Sequence, residues 1–206
     1  MEDVLSIYER PYDPLYPVVC MDEASRQLLE HIRKPFIGND AVTHTDSEYV
    51  RHGEQKILLA TEPLIGWRTT WVNNTRTKVD WAHFMKTAVI DRYPAARKII
   101  LVCDNLNTHN GSSFYEAFPP EEARRLCERM EIHYTPKHGS WLDISEIELS
   151  VLQKQCLDKQ RFETKEEMAT AITAWENRRN SQAKPVKWQF TTEKARTRLR
   201  KLYPVV

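Results

Sequence analysis

Two short apolar runs, each ending in an aspartate, constrain the fold of this chain most strongly. The first covers residues 17–21 and leads into Asp22, and the second covers residues 98–103 and leads into Asp104. Runs of this length and composition predict β-strands that are covered on both faces, as in a parallel sheet. Binding groups in open α/β sheets gather at the carboxyl ends of the strands. We therefore expect the two carboxylates to converge if these strands are neighbours.

The rest of the chain alternates between strand and helix patterns. Residues 55–61 and 67–72 flank a turn containing Pro63 and Gly66, which predicts an antiparallel hairpin, and a fifth strand is predicted at 132–135. Helices are predicted at 78–93, 119–130, 141–157 and 164–179, with a last basic helix after Thr192. Ser140 is the predicted N-cap of the third helix, and Thr164 with Glu167 forms a predicted capping box. The fold class is α/β, with a mixed five-stranded sheet flanked by helices.

The length of 206 residues suits one compact core with small extensions. Residues 1–16 are rich in Tyr and Pro and predict an extended linker or arm. The predicted core spans 17–160, and a basic helical extension covers 161–206.

Two further features bear on the location of the chain. No apolar run approaches the roughly 20 residues needed to cross a bilayer, and the first residues do not form a secretory signal. We therefore expect a cytoplasmic protein. The widely spaced cysteines agree with this, because Cys20 and Cys103 lie in apolar runs typical of buried free thiols.

Two converging aspartates repel each other unless a cation lies between them, so the pattern predicts a divalent metal, with Mg²⁺ or Mn²⁺ suited to oxygen ligands. A second ion needs a third carboxylate. The helix after Gly139 offers Asp143, Glu146 and Glu148, and spacing alone leaves the choice open. The predicted buried stripe of that helix consists of Ile144, Ile147, Val151 and Leu152.

Between Arg178 and Lys201 there are nine basic residues and one acidic residue. This segment suits contact with phosphate groups, although a solvated helix face would have the same composition. The candidate DNA-binding residues are Arg178, Arg179, Lys184, Lys187, Arg196 and Arg200.

Other enzyme classes fit poorly. An aspartyl phosphatase would need a second aspartate two residues after the first, where this chain has Ala24. Nucleotide-binding folds would need a glycine-rich loop, and the five glycines form none. Zinc enzymes would need a histidine ligand spacing that is not present.

The chain closely resembles transposases of the insertion-sequence six-thirty family, bacterial relatives of the Tc/mariner elements. Five segments carry the resemblance, which extends from about Pro17 to Pro204. They are Tyr49–Gly53, Asp104–His109, Tyr134–Leu142, Glu146–Leu152 and Trp188–Thr192.

The resemblance implies an RNase H-like fold with a catalytic triad on Asp22, Asp104 and Glu146, and so favours Glu146 over Glu148. It also implies two Mg²⁺ or Mn²⁺ ions, metal-dependent DNA cleavage and strand transfer, and a homodimer on paired transposon ends. The implied setting is the bacterial nucleoid. The alternative is an inactive or domesticated DNA-binding or oligomerisation module.

Two departures from the family pattern matter. Asp143 stands where relatives usually have Asn, which makes it either a fourth ligand or a bystander. The segment before Asp22 is too short for the helix-turn-helix region that normally recognises element ends, so we expect a catalytic core without it.

Several residues near the expected site could have either of two roles. Asn105, His109 and Lys137 either support the site or make ordinary loop hydrogen bonds. Trp141 is expected to pack in the core, with stacking on an unpaired base as the other possibility.

Overall fold

A five-stranded mixed sheet forms the centre of the molecule, as predicted. The computed structural model describes residues 1–33, 36–39, 41–44, 46–137 and 139–203. The strands are β1 (Val18–His31), β2 (Phe36–Ile37), β3 (Thr43–His44), β4 (Tyr49–Glu62), β5 (Trp67–Asn73), β6 (Ile99–Cys103) and β7 (Met130–Tyr134). The main sheet has the order β5-β4-β1-β6-β7, while β2 and β3 form a separate hairpin. Strands β1, β6 and β7 run parallel, and β4 and β5 form the predicted antiparallel hairpin.

Strand β1 is much longer than predicted, so Asp22 lies inside the strand and not at its end. Pairing between β1 and β6 is parallel and covers Val18 to Cys20, whereas pairing with β4 continues to His31. The polar residues after Asp22 hid this extension from the sequence pattern, because only the first part of β1 is buried on both faces.

Helices cover both faces of the sheet. They are α1 (Glu2–Tyr8), α2 (Lys78–Phe84), α3 (Ser112–Ala117), α4 (Pro120–Glu128), α5 (Ile144–Gln155), α6 (Lys165–Gln182) and α7 (Thr192–Arg198). After α2 the chain continues through a π-helical segment, Met85–Val89, and a 3-10 turn, Ile90–Arg92, to the end of the predicted helix. The capping box of Thr164 and Glu167 is present at the start of α6. Helix α3 and the β2–β3 hairpin were not predicted.

The expectation of an extended segment at the N-terminus was wrong for residues 2–8. Val4, Leu5 and Ile7 of α1 are fully buried. They pack in a cluster that also contains Leu142, Ile144 and residues of α7. The apolar spacing of these three residues outweighs the Tyr and Pro content of the segment, which is extended or turned only after residue 8.

The core lies on both faces of the sheet. One cluster packs α2, α3 and α4 against Val19, Met21 and Leu101, and the opposite face is covered by α1, α5, α6 and α7. Helices α6 and α7 bury Trp175 and Ala195 in the clusters of this second face, and the division at residue 160 stays a prediction. Cys20 and Cys103 are buried free thiols, as predicted. In the described ranges no helix is long and apolar enough to span a membrane.

Candidate active site

The sheet register brings Asp22 and Asp104 to the same edge and the same face. Cys20 pairs with Val102 across the parallel strands β1 and β6, and each aspartate follows two residues later along its own strand. Side chains alternate between faces along a strand, so both aspartates leave on the face of Cys20 and Val102. That face is covered by α5. The predicted convergence of the two aspartates therefore follows from the observed strand order.

The environment of Asp22 disfavours its negative charge. Burial raises the pKa of the Asp22 carboxyl to about 6, although the backbone N–H of Glu23 donates a 2.7 Å hydrogen bond to it. The negative charges of Asp104 and Glu146 raise this pKa as well, and His109 lowers it. A partly buried carboxylate with two anionic neighbours is an arrangement that a cation stabilises.

Helix α5 separates the three candidate acidic residues of its first turns. Glu146 is half-buried, and its charge acts on Asp22. Glu148 is buried and points away, to Arg68 and Arg179. The charge of Glu146, and not that of Glu148, therefore acts on Asp22, and the place of Glu146 in the triad stays a prediction.

The buried stripe of α5 differs from the prediction. Ile144, Ser145, Glu148 and Leu152 are its buried residues, while Ile147 is 46% exposed. The prediction that Ile147 belongs to the buried stripe was wrong, because two arginines on neighbouring elements make the position of Glu148 a buried one.

Asp143 is the N-cap of α5. Its Oδ1 accepts hydrogen bonds from the backbone N–H of Ser145, at 2.9 Å, and from the Ser145 hydroxyl. Burial raises the pKa of Asp143 well above its usual range, and the charges of Asp22 and Glu146 add to this. The prediction of Ser140 as the N-cap was wrong, because Ser140 lies in a short 3-10 helix before α5, which begins at Ile144. Asp143 therefore has a structural role, and its role as a metal ligand stays a prediction.

His109 is fully buried and contacts Asp104 directly. Its Nδ1 lies 2.6 Å from Oδ1 of Asp104, and a carboxylate can only accept, so Nδ1 carries the proton. On the other side, Nε2 lies 3.9 Å from Glu23, which Arg76 binds at 2.6 Å. The indole of Trp81 stacks on the imidazole with ring centroids 5.9 Å apart. His109 therefore makes a direct hydrogen bond with Asp104, and its supporting role stays a prediction.

The other candidate supporting residues lie on loops at this edge of the sheet. Asn105 and Lys137 are exposed, directly after β6 and shortly after β7. Their supporting roles stay predictions. The expected core packing of Trp141 was wrong, since its side chain is 43% exposed and only meets the ring of Phe190 edge-on at 5.5 Å.

The carboxylates near Asp22 are potential oxygen ligands for a divalent metal. In the described ranges no three His, Cys, Asp or Glu side chains are grouped closely enough to share one ion. Mg²⁺ needs no such cage, because it is usually bound through one or two carboxylates together with water and substrate phosphates. Oδ2 of Asp143 is also buried, and no hydrogen-bond partner for it is present among the residues described. Hard oxygen donors with uncompensated charge therefore fit Mg²⁺ or Mn²⁺.

The basic C-terminal segment divides into two groups. Arg178, Lys184, Lys187 and Arg200 are exposed. In contrast, Arg196 binds Glu2 through two nitrogens at 2.7 Å each, and Arg179 binds the buried Glu148. The first group remains available to phosphate, whereas Arg179 is committed inside the protein.

Sequence reasoning missed the partners that hold the acidic residues in place. Glu23, Arg76 and Trp81 surround His109, and Arg68 holds Glu148. Only Glu23 carried a signal, as the acidic residue directly after Asp22. The others lie far away in the sequence, where spacing gives no information about contact.

Comparison with known proteins agrees with this geometry. No curated protein sequence matches the chain. Among solved structures, the catalytic domain of Mos1 mariner transposase aligns with a TM-score of 0.53 at 14% identity, covering 89% of this chain and 84% of that one. The Mos1 strand transfer complex aligns with a TM-score of 0.56 at 15% identity, covering 89% of this chain and 56% of the Mos1 chain.

The Mos1 likeness establishes the predicted fold, that of a transposase catalytic domain, and this chain spans little more than half of the whole Mos1 chain. A family model described as DDE superfamily endonuclease matches residues 17–169, most of the chain and all three candidate carboxylates. The chain therefore belongs to the DDE superfamily endonucleases.

Proposed function

We propose that this chain cuts DNA and joins the cut end to new DNA, with Asp22, Asp104 and Glu146 as the metal-binding catalytic residues. The observation that carries the proposal is the environment of Asp22, where burial, and after it the negative charges of Asp104 and Glu146, raise the pKa of the carboxyl to about 6. Such an arrangement costs stability unless a cation or a proton compensates it. Family membership supports phosphodiester chemistry as its purpose.

Asp22, Asp104 and Glu146 would hold two Mg²⁺ or Mn²⁺ ions. When bound, the ions supply a nucleophilic oxygen at neutral pH and stabilise the charge that develops on the leaving oxygen. The charges of Asp104 and Glu146 both act on Asp22, so a bound cation would relieve the repulsion among these three carboxylates. Solved complexes of Mos1 with Mn and with Mg support the choice of metal.

The chain's own residues would orient the metal-binding groups. His109 donates to Asp104 and is itself fixed by Trp81, so that carboxylate has little rotational freedom. Glu146 lies on α5, and Asp143 caps the start of this helix. Preorganisation of this kind lowers the cost of reaching the in-line geometry of phosphoryl transfer.

The DNA partner and the dimer belong to the same proposal. Solved neighbours include a Mos1 paired-end complex with a transposon end, which supports transposon-end DNA as substrate and a homodimer as working unit. The exposed basic residues Arg178, Lys184, Lys187 and Arg200 are the candidate phosphate contacts. A location at the bacterial nucleoid would suit a DNA substrate, and it stays a prediction.

Plasmid nicking tests the proposal. Supercoiled plasmid, and oligonucleotides with candidate transposon ends, would be incubated with the chain and Mg²⁺, Mn²⁺ or EDTA. Asp104→Asn removes one proposed ligand, and Asp91→Asn is the matched control, because Asp91 is exposed and only pairs with Lys86.

We expect metal-dependent cleavage by the wild type and by Asp91→Asn, and none by Asp104→Asn. DNA binding without cleavage under any condition would favour the alternative, a non-catalytic DNA-binding module. Cleavage by Asp104→Asn at the wild-type rate would contradict the assignment of the site.

A further inference from the structure

Glu148, two residues after the proposed ligand Glu146, is held by two arginines. Its Oε2 lies 3.0 Å from Nε of Arg68, and its Oε1 accepts a 2.8 Å hydrogen bond from Nη2 of Arg179. The side chains of Arg68 and Glu148 are 1% and 4% exposed. Three charged groups are therefore buried together on the side of α5 that faces away from Asp22.

The two arginines belong to different elements, and α6 is fastened to the sheet beside them. Arg68 lies on β5, the edge strand, and Arg179 on α6. The side chain of Asn180 accepts from the backbone N–H of Arg68 at 2.9 Å and donates to its carbonyl at 2.8 Å. One turn earlier, Glu176 accepts from the backbone N–H of Thr70 at 2.8 Å. These bonds occupy the free backbone groups of the edge strand, so Arg68 and Arg179 form one rigid anchor.

Helix geometry connects this anchor to the acidic site. Residues two apart on an α-helix point roughly 200° apart, so Glu146 and Glu148 lie on nearly opposite sides of α5. Ile144 and Leu152 of α5 are buried in apolar clusters, whereas Ile147 is exposed and the polar Ser145 is buried. Contacts from two directions to one carboxylate restrain rotation and sliding together.

Stability alone is a weak reason for such a cluster. Buried ion pairs often contribute no more to stability than well-packed apolar residues of the same size, because desolvation offsets their attraction. What apolar residues cannot supply is a directional contact such as the hydrogen bond from Arg179 to Glu148. We infer that Arg68, Glu148 and Arg179 are positioning residues that set the rotation of α5, and through it the place of the Glu146 carboxylate relative to Asp22 and Asp104. This inference rests on the proposed metal-dependent function.

Metal affinity tests the inference with a readout that a purely structural role would leave unchanged. Mn²⁺ binding to the full chain would be measured by calorimetry, well below the melting temperature of each variant, and the Mg²⁺ dependence of plasmid nicking would be measured in parallel. Glu148→Gln is the test variant. Glu62→Gln is the matched control, since Glu62 is a fully buried carboxylate on β4 that accepts a 2.5 Å bond from Tyr93 and lies outside the anchor.

We expect Glu148→Gln to weaken Mn²⁺ binding by roughly 10-fold, the effect typical of residues that orient metal ligands, and to raise the Mg²⁺ concentration for half-maximal nicking similarly. Glu62→Gln should lower the melting temperature without either change. Arg179→Met and Arg179→Lys give a second test on a less buried residue, 18% exposed, that can be replaced with less risk to folding. The lysine should restore part of the affinity that the methionine loses, because it keeps the charge.

The outcomes separate the two proposals. Wild-type metal affinity in Arg179→Met, and in Glu148→Gln if that variant folds, would overturn the positioning role while leaving the proposed function intact. A wild-type chain that neither binds Mn²⁺ nor nicks DNA with metal would instead contradict the proposed function, and the inference with it.

Discussion

Two glutamates on opposite sides of α5 lie in opposite electrostatic environments. On one side Glu146 adds its charge to that of Asp22 and Asp104, and burial raises the pKa of Asp22 to about 6. On the other side Glu148 is more deeply buried, yet two arginines neutralise it. The charge of Glu148 is compensated within the protein. The charges around Asp22 are not, and a bound cation would compensate them.

The largest expected effect is the loss of DNA cleavage when Glu146 is replaced, which distinguishes it from Glu148. Glu146→Gln should reduce metal-dependent cleavage at least about 1000-fold, because it removes a proposed ligand, while the free energy of unfolding stays the same or rises. Gel-based nicking assays and thermal melts of the same preparation measure both. A variant with normal cleavage would show that Glu146 is not a ligand.

The second prediction concerns Glu148, whose charge two arginines compensate. Glu148→Ala should lower the free energy of unfolding by about 3–5 kcal/mol, because it removes the buried carboxylate that pairs with the guanidinium groups of Arg68 and Arg179. Urea denaturation followed by circular dichroism measures this loss. A loss below about 1 kcal/mol would mean that water reaches the arginines and that the cluster is not buried in solution.

The third prediction concerns pH. Burial and neighbouring charges raise the pKa of Asp22 from 3.8 to about 6 in the folded chain, so the folded state binds more protons than the unfolded state between these values. The stability of the metal-free chain should therefore fall by about 1–3 kcal/mol as pH rises through that window. Denaturation at several pH values in EDTA measures the fall, and Asp22→Asn should reduce it. An unchanged slope in that variant would assign the effect to another group.

The smallest expected effect tests whether the anchor is local. Thr164 caps the far end of α6 through the backbone N–H of Glu167. Thr164→Ala should lower the free energy of unfolding by about 1 kcal/mol without changing Mn²⁺ affinity, because the lost bond lies four turns from Arg179. Calorimetry and thermal melts provide both numbers. A parallel drop in metal affinity would show that general loosening of α6, and not the contact with Glu148, controls the site.

The sequence predicted the parts of the fold that rest on local pattern. The buried strand that ends just before Asp104, the buried first part of β1, the hairpin and the capping box at Thr164 were confirmed. The pattern could not show that β1 continues to His31, because its outer part is polar and partly exposed. It also missed α1, whose helix is stabilised by packing against distant elements.

For the candidate site, strand patterns predicted two residues and the family resemblance predicted the third. Asp22 and Asp104 followed from strand ends, whereas spacing left Glu146 and Glu148 equivalent. What distinguishes those two is Arg68, which lies 80 positions before Glu148 in the chain, and Arg179, 31 positions after it. Contacts over such separations depend on the folded topology, which residue spacing does not encode.

Anomalous diffraction from crystals of the chain soaked in Mn²⁺ tests the central claim most directly. We predict Mn²⁺ peaks bounded by the carboxylates of Asp22, Asp104 and Glu146, and none beside Glu148. An absence of Mn²⁺ at these three residues, with ions bound elsewhere or not at all, would contradict the account.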